Sequence, residues 1–375
     1  MIKSEINYKL VSKVIGSLLL VESATLFFVL FISLIYGEND GLYFVGTSIF
    51  ALIVGWLMIL YGKNAPERIG KREGSMIVTF TWIFFSLIGA LPYWLSKSIP
   101  SFTDAFFETI SGFTTTGASI LNNIEELSHG MLFWRSLTHW VGGLGIIVIS
   151  LALLPMFGVS GTQLFAAETT GPTKDKIHPK LNETAKRLFL IYVLLTFSET
   201  IFLLFGRMNL FDAVCHSFST IATGGFSTKQ ASIAYYQSPY IEYVIAIFMI
   251  LSGVNFGNYY LAYQRKYEKI KVNEELRYYL IVLFAFTVIV ALSLVDFSGI
   301  ITTQSVEKAW RDALFTVSSL MTTTGMVTVD YMYWKPLTWI ILITIMMTGA
   351  SAGSTSGGIK MIRVVISAKA CYYEF

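Results

Sequence analysis

The sequence predicts an all-α polytopic membrane protein built from repeated helix–loop–helix units, and three observations carry this prediction. Hydrophobic residues make up 54% of the 375 residues and charged residues only 14%, with a mean hydropathy of +0.62. Soluble domains carry about 25% charged residues, so the composition excludes an ordinary soluble fold. The apolar residues fall into blocks, and a bilayer crossing takes roughly 20 such residues. Between pairs of blocks, a Thr/Gly motif recurs at a spacing of about one hundred residues.

The apolar blocks define the expected helices in chain order. The first block follows Lys3, Lys9 and Lys13. Because no small-residue cleavage site stands out after it, we interpret it as a retained transmembrane helix and not as a signal peptide. The expected membrane segments are 12–36, 42–62, 76–96, 131–157, 184–206, 238–262, 277–296 and 334–348, with a continuation at 359–370. They group into an N-terminal helix pair at 1–75 and repeats at 76–160, 184–265 and 277–375.

The loops between the blocks alternate in charge, and this pattern predicts the orientation of the chain. One set of loops is basic and holds Lys63, Arg68, Lys71, Arg72, Lys174, Lys176, Lys180, Lys186, Arg187, Arg265, Lys266, Lys269, Lys271, Arg277, Lys360, Arg363 and Lys369. The opposite set is acidic and holds Glu38, Asp40, Asp104, Glu108, Glu125 and Glu126. Because basic loops stay in the cytoplasm, the N-terminus is predicted to be cytoplasmic.

Charge and cysteine content exclude two other classes of function. The net charge is only +3 and the bases form short clusters, whereas a nucleic-acid binder needs a basic stripe on one face. Cys215 and Cys371 lie far apart and have no metal-binding spacing, so we expect neither a disulfide nor a cysteine metal site.

The recurring motif lies on the predicted outer side of the membrane. Each copy begins with Asp-Ala and reaches a glycine thirteen residues after the aspartate. The copies run from Asp104 to Gly117, from Asp212 to Gly225 and from Asp312 to Gly325. They are too short to cross as helices and too apolar for ordinary loops. A re-entrant segment is tolerated where protein or a water-filled cavity surrounds it.

The residue types of the motif suit the binding of a dehydrated cation. About ten residues can form a short helix, which the aspartate would cap and whose negative C-terminal end would face the Thr/Gly turn. Glycine permits backbone angles that let successive carbonyl oxygens face one axis and replace the water shell of an ion. A single Thr-Thr-Gly is common in ordinary loops, but three copies at one offset favour a filter. The predicted ligands are Thr115, Thr116, Gly117, Thr223, Gly224, Gly225, Thr323, Thr324 and Gly325.

A second run interrupts the last apolar block where the middle of the membrane is expected. Broken helices in lipid normally line a cavity, so we interpret the run as a gate beneath the filter and not as a simple cytoplasmic loop. Its residues are Gly349, Ala350, Ser351, Gly353, Ser354, Thr355, Ser356, Gly357 and Gly358. Lys360 and Arg363 follow it and suit either gating charges or inner-surface anchors. The small and polar residues at 252–258 are interpreted as a helix-packing site.

Two other functions compete with ion permeation. An intramembrane enzyme would need paired aspartates, a Ser–His or Ser–Lys dyad, or HExxH, and the sequence has no HExxH and almost no aspartate in its apolar blocks. The other competing hypothesis is a non-conducting fragment that serves as an assembly partner in a membrane complex. No nucleotide-binding motif is present, so the chain is not expected to hydrolyse ATP.

Several segments together resemble the Trk/Ktr family of potassium-uptake proteins, and within it the TrkH-type subunits. These segments are 114–119, 138–146, 182–188, 223–228 and 322–326, with the break at 349–358. The resemblance implies helix–pore-loop–helix units arranged with pseudo-fourfold symmetry around a central pore. It assigns one filter glycine to each repeat (Gly117, Gly225 and Gly325) and a gating role to the break.

The same resemblance implies a substrate and partners. The transported ion would be potassium, on Thr115, Thr116, Thr223, Gly224, Thr323 and Thr324, with no covalent cofactor. The chain would lie in a bacterial cytoplasmic (inner) membrane as a homodimer and bind a cytosolic nucleotide-binding subunit of TrkA type. The family pattern has four repeats and this sequence supplies three, so we expect a truncated sequence that lacks the fourth. The second repeat has Ala222 and Gly224 where the others have threonine, and its quadrant should be less rigid.

Gly225→Ser is predicted to weaken selection of potassium over sodium, because a side chain at this position would narrow the carbonyl ring. The measurement is rubidium uptake relative to sodium uptake in liposomes. Unchanged selectivity would count against the filter assignment.

Overall fold

Apolar runs without interior proline form the long helices of this chain, and glycine or a polar cap ends them. The structure, a computed structural model, describes residues 6–65, 70–145, 181–295 and 302–374. Contacts divide it into two units, Met1–Phe189 and Leu190–Phe375, which are described separately. In the described ranges the chain is almost entirely helical, and an isolated parallel bridge joins Thr348 and Ile359.

The first unit contains a closely packed pair of antiparallel helices followed by the first repeat. The helices are α1 (Tyr8–Tyr36), α2 (Gly41–Tyr61), α3 (Lys71–Gly89), α4 (Leu91–Leu95), α5 (Phe102–Phe113) and α6 (His129–Gly143). Asn7 caps α1 by accepting from the Leu10 amide at 3.1 Å, and Gly37 ends it with φ of 67°. Gly16 and Gly55 let α1 and α2 approach closely, because a Cβ on either glycine would overlap the carbonyl oxygen of the other.

The second unit contains the second and third repeats. Its helices are the part of α7 (Leu181–Phe205) from Leu190 onward, α8 (Leu210–Ile221), α9 (Pro239–Ser252), α10 (Phe256–Tyr263), α11 (Tyr267–Lys271), α12 (Glu274–Leu294), α13 (Thr303–Met321), α14 (Pro336–Met347) and α15 (Met361–Glu374). A buried cluster that includes Tyr279, Val317 and Ile345 holds α12, α13 and α14 together. The third repeat therefore has its own apolar core.

The expected single helix at 238–262 is wrong. The axis bends by 89° between α9 and α10, with the break at residues 253–255. Asn255 starts α10 by accepting from the Gly257 amide at 2.7 Å, as an N-cap residue does. A polar cap in the middle of an apolar run thus divides this segment in two.

The membrane-protein class is confirmed. Five described helices are long and apolar enough to cross a bilayer, or six if the bent pair is one span. They are Tyr8–Tyr36, Gly41–Tyr61, Arg72–Leu95, Lys186–Phe205 and Glu274–Leu294. The expected helix beyond residue 145 and the basic residues Lys3, Arg68, Lys174, Lys176 and Lys180 lie outside the described residues. The boundaries of the proposed repeats remain predictions.

Gly55→Leu should destabilise the α1–α2 pair. A Cβ at Gly55 would lie 2.8 Å from the Gly16 carbonyl oxygen and 3.2 Å from Leu19 Cβ, whereas nothing lies within 4 Å of the same position at Gly46 on the same helix. Overpacking of this kind costs about 1–3 kcal/mol. We expect a lower midpoint of thermal unfolding in detergent for Gly55→Leu and an unchanged midpoint for Gly46→Leu. Equal midpoints in both variants would contradict the close approach.

Candidate functional site

A helix leads into the Thr/Gly turn of each motif copy, as the sequence predicts, and we call it the pore helix. The pore helices are α5, α8 and α13, and the motif aspartates do not cap them. The caps are Ser101 for α5, Asn209 for α8 and Thr302 for α13. Asp104 and Asp212 lie in the first turn, where a negative charge still favours the helix dipole. Asp312 lies inside α13, because that helix is 19 residues long. The predicted capping role is therefore wrong in all three repeats.

One serine in each pore helix holds the following turn in place. The carbonyls of Ser111, Ser219 and Ser319 accept from the amides of Thr116, Gly224 and Thr324 at 2.9, 2.9 and 2.8 Å. The hydroxyls of Ser111 and Ser319 also donate to the carbonyls of Ala118 and Met326, at 2.6 and 2.7 Å. We call this arrangement the serine clamp. In the first and third repeats it grips the turn on both sides of the filter glycine.

The filter turns have left-handed backbone at two positions in each repeat. The glycines have φ of 75°, 89° and 80° at Gly117, Gly225 and Gly325. Two residues earlier, φ is 51°, 54° and 57° at Thr115, Thr223 and Thr323. A β-branched residue with positive φ is a true outlier, and such strain persists only where surrounding structure imposes it. Left-handed residues at these two positions distinguish the turn from ordinary extended backbone.

The carbonyl oxygens of the predicted potassium ligands are not used by the fold. Their amides are held by the pore helices, and the Thr223 and Thr323 hydroxyls donate to the preceding carbonyls at 2.7 Å. Among the hydrogen bonds of the described residues, none is accepted by the carbonyls of the predicted potassium ligands. These ligands are Thr115, Thr116, Thr223, Gly224, Thr323 and Thr324. Oxygen acceptors left unpaired in a membrane protein are expensive unless an ion or water occupies them.

The second and third filter turns touch each other within the second unit. A Cβ on Gly225 would overlap the Thr324 carbonyl oxygen, so a side chain here has no room. Just beyond the turns, the amides of Ile233 and Ala234 both donate to the Val327 carbonyl, at 3.1 and 3.2 Å. The structure thus brings together the predicted ligands at 223–225 and 323–325.

In the first unit, a buried ion pair supports the first filter turn. Glu108 on α5 accepts from Arg135 Nε on α6 at 2.6 Å, and both side chains are buried. The same carboxylate accepts from the Ser119 hydroxyl and the Ile120 amide at 3.0 and 3.1 Å. The carboxylate therefore ties the pore helix to the segment that leaves the turn at Gly117.

In the second repeat, His216 occupies the position of Glu108. Its Nδ1 lies 2.7 Å from the Asp212 carbonyl and its Nε2 lies 2.9 Å from the Ser227 hydroxyl. Asp212 also accepts from the Tyr236 hydroxyl at 2.8 Å. Burial, together with the Asp212 charge, raises the pKa of Tyr236, which therefore keeps its proton for this bond. The Asp212 carboxylate also accepts from the Thr228 hydroxyl at 2.6 Å and lies 3.7 Å from Lys229 Nζ, so a charged group supports this turn as well.

The predicted gate is a non-helical segment that connects α14, which ends at Met347, to α15, which begins at Met361. We call residues 349–358 the gate run. The Gly349 amide donates to the Ile359 carbonyl at 2.8 Å, and the Met361 amide donates to the Ala350 carbonyl at 3.0 Å. These bonds close the base of the run, so it is an ordered loop with fixed ends.

The gate run contacts the C-terminal end of α8, the third filter turn and the bend between α9 and α10. The Thr355 hydroxyl donates to the Ile221 carbonyl at 3.0 Å, and the Gly357 amide donates to the Thr323 hydroxyl at 2.7 Å. On its other side, the Ser351 amide donates to the Gly253 carbonyl at 3.1 Å, and the Gly353 carbonyl accepts from the Phe256 amide at 3.0 Å. The interpretation of 252–258 as a helix-packing site is thus incomplete, because its free backbone groups bind the gate run.

Sequence reasoning missed the serine clamp, although a signal was present. A serine follows the motif aspartate by seven residues in every repeat. The left-handed threonines had no such signal, because their strain follows from tertiary contacts. Among the described residues, no group of three or more His, Cys, Asp or Glu side chains could hold a metal ion.

Comparisons with known proteins identify the family of this chain. The family TrkH, described as "Cation transport protein", matches residues 42–375. The Trk system potassium uptake protein TrkH of Escherichia coli K12 is 39% identical over 363 residues, which is 96% of this chain and 74% of that protein. TrkG of the same strain is 32% identical and covers 98% of this chain and 76% of its own. The crystal structure of the potassium transporter TrkH from Vibrio parahaemolyticus aligns with a TM-score of 0.84 at 30% identity, over 98% of this chain and 76% of that one.

Ser319→Ala should loosen the third filter turn without unfolding α13. The change removes the hydroxyl bond to Met326, which is worth about 1 kcal/mol, and leaves the backbone bond to Thr324. We expect a smaller difference between potassium and sodium in the thermal stabilisation of the purified protein. The matched control is Ser318→Ala, which loses only a bond within the same helix, to Phe315. Identical ion responses in the two variants would argue against the clamp.

Proposed function

Because this chain belongs to the TrkH family of cation transport proteins, we propose that it takes up potassium ions across a cell membrane. The relatives named as potassium uptake proteins match nearly the whole chain, including all three filter turns. The family consists of transporters, so an intramembrane enzyme is no longer a competing reading. The membrane potential would drive uptake, at about 2.3 kcal/mol per charge for each 100 mV.

The unused carbonyl oxygens of the filter turns support this proposal most directly. Dehydration of an ion must be compensated by oxygens held at fixed positions, and backbone carbonyls do this in potassium-selective filters. Here pore-helix carbonyls bind the amides of the turns, leaving the filter carbonyls free. We assign ion binding to Thr115, Thr116, Gly117, Thr223, Gly224, Gly225, Thr323, Thr324 and Gly325.

We also propose that the gate run controls permeation. It is bound to the inner end of the second pore helix through Ile221 and to the third filter turn through Thr323. In this position it lies next to the ends of two filter turns. Displacement of the run would break both hydrogen bonds, so its position and the state of the turns are linked.

The proposal extends to the location of the chain and its partners. The charge pattern of the loops supports a cytoplasmic N-terminus. A bacterial inner membrane, a homodimer and a nucleotide-binding TrkA-type partner on the cytosolic side rest on the family resemblance alone. A lipid bilayer is required in any case, because the exposed faces of α1 and α2 are lined with large apolar side chains such as Leu42, Trp56 and Leu57.

The test is ion uptake into liposomes that contain the purified protein. We expect rubidium, used as a potassium tracer, to enter faster than sodium under an inside-negative potential. The control is Gly225→Ser, which should reduce the preference for rubidium. Uptake by the unaltered chain without any preference for rubidium over sodium would refute a potassium-selective filter.

A further inference from the structure

Two neighbouring glutamates open α12, and only one of them reaches the gate run. Glu274 is exposed and pairs with Lys369 at 2.6 Å, as a surface glutamate in the first turn of a helix commonly does. Glu275 is 9% exposed, and its carboxylate accepts from the backbone amide of Ala352 at 2.6 Å. Ala352 lies in the gate run and is itself buried.

The bond from Ala352 to Glu275 differs in kind from the other contacts of the gate run. It is short and buried and involves a full charge, and hydrogen bonds of this type are roughly twice as strong as neutral ones. The remaining contacts of the run are bonds between neutral groups, apart from that of Lys360, whose ammonium donates to the Ser356 carbonyl. Lys360 also lies close enough to Glu275 for their opposite charges to attract.

The position of α12 makes Glu275 a fixed point. Asn273 caps the helix by accepting from the Leu276 amide at 3.1 Å, and its amide group also donates to Asn258 on α10 at 3.0 Å. One turn further along α12, the Tyr279 hydroxyl donates to the Ile250 carbonyl at 3.1 Å. The carboxylate is therefore presented by a helix anchored to both halves of the bent pair.

We propose that Glu275 is a positioning residue that latches the gate run in the place seen here, through the Ala352 amide. A role of this latch in transport rests on the proposed gating function. The latch itself concerns only the position of the gate run. Loss of the carboxylate leaves a buried amide unpaired and removes the charge that attracts Lys360. The gate run should then leave its site between the third filter turn and the bend.

Cysteine labelling can follow the latch without any transport. Ser351 is buried in the gate run, and its hydroxyl has no hydrogen-bond partner among the described residues, so Ser351→Cys is a mild reporter. It would be placed in a Cys371→Ser background, because Cys371 is exposed. Buried Cys215 remains and reports on general unfolding. The probe is a membrane-permeant maleimide added to the protein in liposomes.

We expect Glu275→Leu to raise the labelling rate at position 351 about tenfold or more, with no change at Cys215. Glu275→Gln should lie between Leu and the parent, because its amide oxygen can still accept from Ala352 without the charge. Glu274→Leu should label like the parent. An unchanged labelling rate at position 351 in Glu275→Leu would overturn the latch. An equal rise in the labelling rate of Cys215 in both Glu275 variants would also overturn it, because it would indicate general unfolding.

Rubidium uptake by the same proteoliposomes separates the latch from the proposed function. If the gate run obstructs the pore, Glu275→Leu should increase the maximal rate of uptake with little change in the half-saturating rubidium concentration. Faster labelling with no uptake in any version would keep the latch and contradict the transport proposal. Rubidium uptake by the parent, together with unchanged labelling in Glu275→Leu, would support the transport proposal and contradict the latch.

Discussion

The central constraint in this protein is that a turn of backbone must keep its carbonyl oxygens free inside a membrane. Helices satisfy this environment by pairing every amide with a carbonyl of the same segment, and the filter turns cannot do so. The pore-helix serine resolves the conflict by accepting from the turn with its carbonyl, as Ser219 and Ser319 do in the second unit. The pore helices therefore bind amides of the turns, while the carbonyls of the predicted potassium ligands accept no hydrogen bond among the described residues.

The supports behind the turns vary more than the turns do. In the first repeat a buried Glu108–Arg135 pair holds the outgoing segment. In the second repeat His216 binds Ser227, and the Asp212 carboxylate accepts from the Thr228 hydroxyl and lies 3.7 Å from Lys229 Nζ. The same turn is therefore held by different groups in the two repeats. This difference adds to the missing threonines of the second turn, since the 2.8 Å hydroxyl pair of Thr322 and Thr324 has no counterpart there.

Much of the architecture could be predicted because it depends on local composition. The lengths of the apolar blocks predicted the long helices, and the spacing from Asp212 to Gly225 predicted the position of the turn and its pore helix. The aspartate cap was wrong, because Ser101 or Asn209 lies better placed before each helix. Contacts between distant segments could not be foreseen: Gly353 with Phe256, or Glu275 with Ala352, are 77 or more residues apart. The sequence pattern indicates where a helix is interrupted. It does not indicate which distant residues form hydrogen bonds with the backbone groups at the interruption.

The left-handed threonines also bear on how the protein folds. Each strained residue costs of order 1–3 kcal/mol, and an isolated helix pair has nothing to offset that cost. The turn at Thr223 and Gly225 packs against the carbonyl of Thr324, which the chain supplies a hundred residues later. During synthesis, the second turn therefore lacks this packing partner until the third repeat has been made.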